Sequence, residues 1–278
     1  MKMMEYCHRC LRRLVDKVVA LSTGNGTIIS YCYSVIGGVM DGESSPPEVA
    51  NKLLRYVREK TGVYDPFASI KDRELQQAHE AIQGLKGAFP QTLTGLLQVS
   101  ALGNSMDFFI DGVYDATGFE FVAEMDRIQR ELSIDGRPVL IFADNTGEFL
   151  FDVGLIEHLE RQGRKVYYAV KEHPVQNDLS MVDIERFHFK EICPNIISTG
   201  TGEVGIRREA MKGLIQDLWE GGATIIAKGM ANYETLSEFN NERPVIHLMK
   251  VKCPTVALAV GKKVGQYIAI IGGVKNGN

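Results

Sequence analysis

The chain has 278 residues, 45% hydrophobic and 24% charged, with 31 lysines and arginines against 35 aspartates and glutamates for a net charge of -4. That length suffices for one large domain or two small ones with a sizeable core. The interspersed charges exclude a nucleic-acid binder that relies on a broad basic face, and no uncharged apolar run approaches the roughly 18 residues of a membrane-spanning helix.

The segment from Met1 to Leu21 carries Glu5, Arg9, Arg12, Arg13, Asp16 and Lys17, so it lacks the unbroken apolar stretch of a secretory signal. Five cysteines, an odd number scattered at 7, 10, 32, 193 and 253, suit a reducing compartment better than a disulfide scaffold. A soluble cytoplasmic protein is expected.

Residues 1–132 read as a helical N-terminal region. Leu11, Leu14, Val15, Val18 and Leu21 repeat at helical spacing. Ile29, Tyr31, Tyr33 and Ile36 are ambiguous, with Gly37 and Gly38 marking a helix end. Ser44 and Ser45 before Pro46 and Pro47 signal a helix start, followed by the stripe Leu53, Leu54 and Val57. Asp72 can cap a further helix through Ala78, Ile82 and Leu85, and Leu93, Leu96 and Leu97 open another apolar helical run. No convincing strand is seen in this part.

Residues 133–278 change rhythm. Short β-rich runs at Val139 to Phe142, Val166 to Val170, Ile196 to Ile197, Thr224 to Ala227, Val245 to Leu248 and Tyr267 to Ile271 alternate with helical stretches such as Phe149 to Gln162 and Arg207 to Trp219. The alternation predicts βαβ units: an α/β, doubly wound and mainly parallel sheet with helices on both faces. Right-handed crossovers then put the carboxyl ends of the strands on one rim, where ligands bind in such sheets.

Polar letters collect at those ends. The first run stops at Asp144, Asn145, Thr146, Gly147 and Glu148. Adjacent Asp and Asn side chains supply hard oxygen ligands, although an Asx turn capping a helix uses the same residues. The second run ends in Lys171 to Asp178, a Pro-containing loop that closes with Asn177 and Asp178. With the two strands adjacent, Asp144, Asn145 and Asp178 converge on one cation, and an all-oxygen set suits Mg²⁺ or Mn²⁺ over Zn²⁺.

The third run ends in Ser198 to Glu203, small residues that let backbone N–H groups and a helix beginning near Val204 face an anion. The fourth ends in Lys228, Gly229, Met230, Ala231, Asn232, Tyr233 and Glu234, where Lys228 either clamps a phosphoryl group or is a solvated strand-end charge. The fifth leads to Lys250, Lys252 and Cys253. Asn104 and Asp107, in Gly103 to Phe108, can reach the same rim or mark an ordinary helix end. Cys7 and Cys10 form a lone C-x-x-C, which lacks the second pair a structural zinc site wants, and they stay unassigned.

In this order the motifs resemble the metal-dependent damage-control phosphatase family. The resemblance rests on Cys7-His8-Arg9-Cys10, Gly103 to Phe108, Asp144-Asn145, the Lys171 to Asp178 loop and Lys228 to Glu234, and covers nearly the whole chain. It implies a three-layer α/β/α domain with an all-helical N-terminal region, and hydrolysis of small phosphate monoesters such as sugar phosphates or damaged phosphometabolites. By similarity Asp144, Asn145 and Asp178 would ligate a divalent metal (Mn, Co, Ni or Mg) and Lys228 would contact the phosphate. Asn104, Asp107, Asn232 and Glu234 would belong to the substrate-binding set. Met230-Ala231 departs from the family, whose members more often carry Gln-Gly there.

Thr146, two residues beyond Asp144, breaks the Asp-x-Asp pattern of aspartyl-phosphate enzymes, which favours direct attack by water over an Asp144 nucleophile. A carboxyl methyltransferase using S-adenosylmethionine is the rival enzyme class, but the Gly-x-Gly-x-x-Gly signature after the first strand is missing. A non-enzymatic metal or metabolite sensor is the third possibility. The expected partner is a small phosphorylated metabolite, with no nucleic acid or membrane. The oligomeric state is not readable.

Overall fold

The computed structural model of the protein describes residues 1–22, 24–105 and 119–272. Among the described residues seven strands form one sheet: β1 Phe121–Ala123, β2 Val139–Phe142, β3 Val166–Val170, β4 Ile196–Ser198, β5 Thr224–Lys228, β6 Val245–Lys250 and β7 Tyr267–Gly272. The order across the sheet is β1-β7-β6-β5-β2-β3-β4, and every pairing is parallel except β6 with β7. The chain builds outward from β2 through β3 to β4, then returns to the other side of β2 with β5. The order of the strands therefore reverses between the carboxyl ends of β2 and β5, the kind of switch point at which open α/β sheets form a ligand crevice.

Eleven α-helices accompany the sheet among the described residues. They are α1 Glu5–Ser22, α2 Gly26–Gly37, α3 Pro46–Thr61, α4 Ala68–Gly84, α5 Leu93–Gly103, α6 Met125–Leu132, α7 Glu148–Arg161, α8 Met181–Phe187, α9 Leu214–Glu220, α10 Gly229–Leu236 and α11 Pro254–Val260. All four residues of β2 are buried, as a central parallel strand requires. Side-chain alternation sends Val139 and Ile141 to one face, against α5, α6 and α7, and Leu140 and Phe142 to the other, against α9. The helices α1, α2 and α3 make a separate core that also takes in Val175 and Val204, from the segments following β3 and β4. Helices α1, α2 and α3 thus lie against the sheet's carboxyl rim.

Several expectations are corrected. A strand, β1, does lie in the part expected to lack one. It is three half-buried residues long at the sheet edge, too short for a period to show. The last predicted strand, β7, runs antiparallel to β6, so its carboxyl end leaves the common rim, which collects β2 to β6. No α-helix begins near Val204 or at Arg207: a short 3₁₀ turn spans Arg208–Ala210, and α9 starts only at Leu214, after Gly213 with φ 56°. Asp72 lies inside α4 and pairs with Arg186 at 2.7 Å instead of capping the helix. The Ser45 start is as expected: its side chain accepts from the Glu48 N–H while Glu48 accepts from the Ser45 N–H. No described helix is long and apolar enough to cross a membrane.

One buried residue makes the fold sensitive to acid. His247 in β6 is fully buried, its ring edge-on to Tyr233 with centroids 4.9 Å apart, and neither ring nitrogen has a hydrogen-bond partner among the described residues. Burial lowers its pKa from 6.5 to about 3. The unfolded chain therefore binds one more proton than the folded chain between these values. The stability tied to the neutral ring is complete above about pH 6.5 and is lost as pH falls toward 3. Unfolding free energy measured by urea titration should fall with acidification more steeply in wild type than in His247→Leu, by about 1.4 kcal/mol per pH unit near pH 5. Parallel curves would show that His247 does not set acid stability.

Candidate active site

The segments after β2 and β3 are stitched into one unit at the rim. Leu179 N–H donates to Asp144 O at 2.8 Å, Thr146 N–H to Asn177 O at 2.9 Å, and Asn145 pairs with Asp178 in a bridge. This brings Asp144, Asn145 and Asp178 together, all three largely buried. Helix α4 supports the second segment from below. Asn177 Nδ2 donates to Glu74 Oε1 at 2.7 Å, and the buried ammonium of Lys71 binds Asp183 at 2.8 Å and Asp65 at 3.2 Å. Lys171, 2% exposed, donates to Gly205 O at 2.6 Å and stands 3.7 Å from Asp178. Burial lowers its pKa, with Asp178 and Asp144 opposing that shift.

On the other side of the crevice the chain leaves β5 through Gly229. Its φ is 77°, and a Cβ built there would lie 1.9 Å from Asp144 Oδ2. Only glycine allows the β5–α10 turn to approach the carboxylate this closely.

Lys228 does not sit where its place at a strand end suggests. Two residues after the inward-facing Ile226, it shares that residue's face and runs between the sheet and helices α5 and α7. Its fully buried ammonium donates to Ser100 O at 2.7 Å, Ser100 Oγ at 2.8 Å and Asp152 Oδ1 at 2.7 Å, with Glu148 Oε2 at 3.3 Å. Three donors are thus committed inside the protein. Burial disfavours the charge, but Asp152 and Glu148 outweigh it and the pKa is raised.

Glu148 completes this cluster. Asn104 Nδ2 and Asn145 Nδ2 both donate to its Oε1, the latter at 2.9 Å. Burial pushes its pKa up to about 7, Lys228 opposing while Asp144 and Asp152 add to the rise. Asp152 Oδ2 accepts from Tyr168 at 2.7 Å.

The other predicted residues divide. Asn104 is fully buried, donates to Asp144 Oδ2 at 2.9 Å, and accepts from Lys250 N–H at 2.9 Å. It holds Asp144, and both ends of its amide are in use. Asn232 Nδ2 donates to Ala143 O at 3.0 Å and Lys228 O at 2.8 Å, tying α10 to the end of β2. Glu234 belongs to a different neighbourhood, where its main-chain carbonyl accepts from the N-terminal amine at 2.7 Å. Asp107 lies outside the described residues.

The Ser198 to Glu203 turn is closed on itself: Gly200 N–H donates to Ser198 Oγ at 2.9 Å, Ser198 Oγ donates to Glu172, and Glu172 N–H donates to Thr201 O at 2.8 Å. No α-helix starts there. Lys250 lies over the Tyr267 ring, 5.0 Å from its centroid. Cys7 Sγ is 3.8 Å from Thr255 Oγ1, and Cys10 is exposed. Among the described residues no three His, Cys, Asp or Glu side chains gather in a metal-holding group.

The donor chemistry nevertheless fits a hard divalent cation. Two carboxylates and one amide oxygen are a set of the kind Mg²⁺ or Mn²⁺ uses when water and substrate complete the shell.

The sequence profile of the damage-control phosphatase ARMT1-like domain matches residues 3–268. The chain belongs to that family. A damage-control phosphatase of Archaeoglobus fulgidus is 28% identical, the match covering 97% of this chain and 99% of the relative. A damage-control phosphatase of Pyrococcus horikoshii is 27% identical, over 92% of this chain and 93% of that one. In fold the chain is similar to the crystal structure of a DUF89 family protein from Pyrococcus horikoshii, with a TM-score of 0.84, 24% identity and coverage of 98% and 99%.

Reading the residues one by one missed Glu148, Asp152, Ser100 and Gly229. A signal was there: Glu148 and Asp152 stand four apart on a helix whose inner face is otherwise apolar, so they share that face. Two substitutions test this geometry. Gly229→Ala should cost at least about 1–3 kcal/mol, since the left-handed backbone and the clash with Asp144 add. Lys228→Met leaves two buried carboxylates uncompensated and should cost about 3–5 kcal/mol in chemical unfolding. Wild-type unfolding curves for either variant would refute the packing described.

Proposed function

We propose that the protein is a divalent-metal-dependent phosphatase that hydrolyses small phosphate monoesters, sugar phosphates or damaged phosphometabolites among them. The observation that carries this reading is the joining of Asp144-Asn145 to Asp178 across the ends of β2 and β3, beside the β2/β5 crevice, in a member of a damage-control phosphatase family. Asp144, Asn145 and Asp178 would hold the cation, which when bound supplies Lewis-acid stabilisation of charge on the phosphoryl oxygens.

The chain's own residues then have distinct tasks. Asn104 and the Gly229 turn fix the Asp144 carboxylate, and Lys171 does the same for Asp178. Contact with the substrate phosphate is the role expected of Lys228. Lys228 instead neutralises the carboxylates of α7 from within. Thr146 Oγ1 donates to Asn177 O at 3.0 Å, so the position of the second aspartate in aspartyl-phosphate enzymes holds a structural hydroxyl, which favours attack by water.

Hydrolysis of p-nitrophenyl phosphate and a sugar-phosphate panel, with and without Mn²⁺, Co²⁺, Ni²⁺ and Mg²⁺, tests the reading. Turnover should require metal and fall on the order of a thousandfold in Asp144→Ala and Asp178→Ala, the several kcal/mol that a metal ion contributes to such a transition state. Equal turnover in wild type and both variants would overturn it.

A further inference from the structure

Asn145 offers a cation two chemically opposite ends: Oδ1 can ligate it, and Nδ2 cannot. Its neighbours decide which end faces outward. Nδ2 lies 2.9 Å from Glu148 Oε1 and 3.5 Å from Asp144 Oδ2, both carboxylate oxygens. A carbonyl turned that way would meet oxygen on oxygen, so the amino group is held inside. Among the described residues no hydrogen bond is made to Asn145 Oδ1.

Glu148 is held by hydrogen bonds at one oxygen, and its other oxygen, which makes none among the described residues, faces the Lys228 ammonium. Asn104 Nδ2 is the second donor to Oε1, and Lys228 Nζ stands 3.3 Å from Oε2, with the whole side chain buried at the start of α7. Asn104 is oriented in turn, because its Oδ1 accepts from Lys250 N–H. The chain of partners leaves no freedom for the amides to flip.

We propose that Glu148 is a positioning residue, which fixes the Asn145 amide with its oxygen toward the divalent cation. The inference rests on the metal-site reading above and adds the device that sets the neutral ligand. A partner behind a ligand typically matters about 10–100-fold in metal affinity.

The test is calorimetric titration of the metal-free full chain with Mn²⁺ alone. Glu148→Gln keeps the size but presents an amide that can donate to Oδ1 and turn Asn145 around. Its Mn²⁺ Kd should rise about 10–100-fold. Asn145→Asp alone sets acceptor against acceptor. Combining it with Glu148→Gln restores a donor–acceptor pair, so the double variant should bind Mn²⁺ more tightly than either single variant. That rescue is what a purely structural role would not produce.

A Glu148→Gln Kd equal to wild type, or a double variant no tighter than the single ones, would overturn the proposal. If circular dichroism shows that Glu148→Gln alone does not fold, the comparison of Asn145→Asp with the double variant decides on the same criterion. Wild-type protein that binds no Mn²⁺, or Asp178→Ala that binds it as wild type does, overturns the metal reading and this inference with it. Normal loss in Asp178→Ala with none in Glu148→Gln overturns this inference alone.

Discussion

The ammonium of Lys228, buried between the sheet and α5 and α7, is the constraint around which the candidate site is assembled. A charge removed from water is tolerated only when paired and fully hydrogen-bonded. Ser100, Asp152 and Glu148 meet that demand, which fixes the start of α7 against the end of β5. Glu148 then faces Asn104 and Asn145, and through them Asp144. Electrostatic compensation in the interior thereby fixes side-chain geometry at the rim.

The remaining supports come from the helical part. Helix α4 holds the Asp178 segment through Glu74 and Lys71, and α5 delivers Ser100 and Asn104. The helices are therefore structural partners of the site, and α5 and α6 share the core of the sheet. The candidate site keeps its carboxylates and amide on the segments that follow the strands and positions them with residues from several other elements.

Much of this was legible in the letters. Five of the rim strands were readable because central parallel strands are buried on both faces and run as short, continuous apolar stretches. Asp144 and Asn145 stood out because hard oxygen donors follow such a run closely, and Asp178 because it closes the loop after the neighbouring strand. The edge strand β1 was not legible, since three half-buried residues carry neither a run nor a period. Nor was the start of α9, which is set by Gly213 and by packing of Ile215, Leu218 and Trp219 on the sheet. Nor was the contact of Glu234's main-chain carbonyl with the N-terminal amine, a pairing of residues 233 positions apart.

By itself the sequence determined the alternation of strands and helices, and hence a doubly wound sheet with polar residues along one rim, because periodicity and strand-end position are local properties. Tertiary structure alone decided that Lys228 points inward, that Glu148 and Asp152 receive it, and that Asn104 serves Asp144. The physical reason is that a charged side chain's role depends on what packs opposite its face. The partners here come from residues up to 128 positions away in the chain.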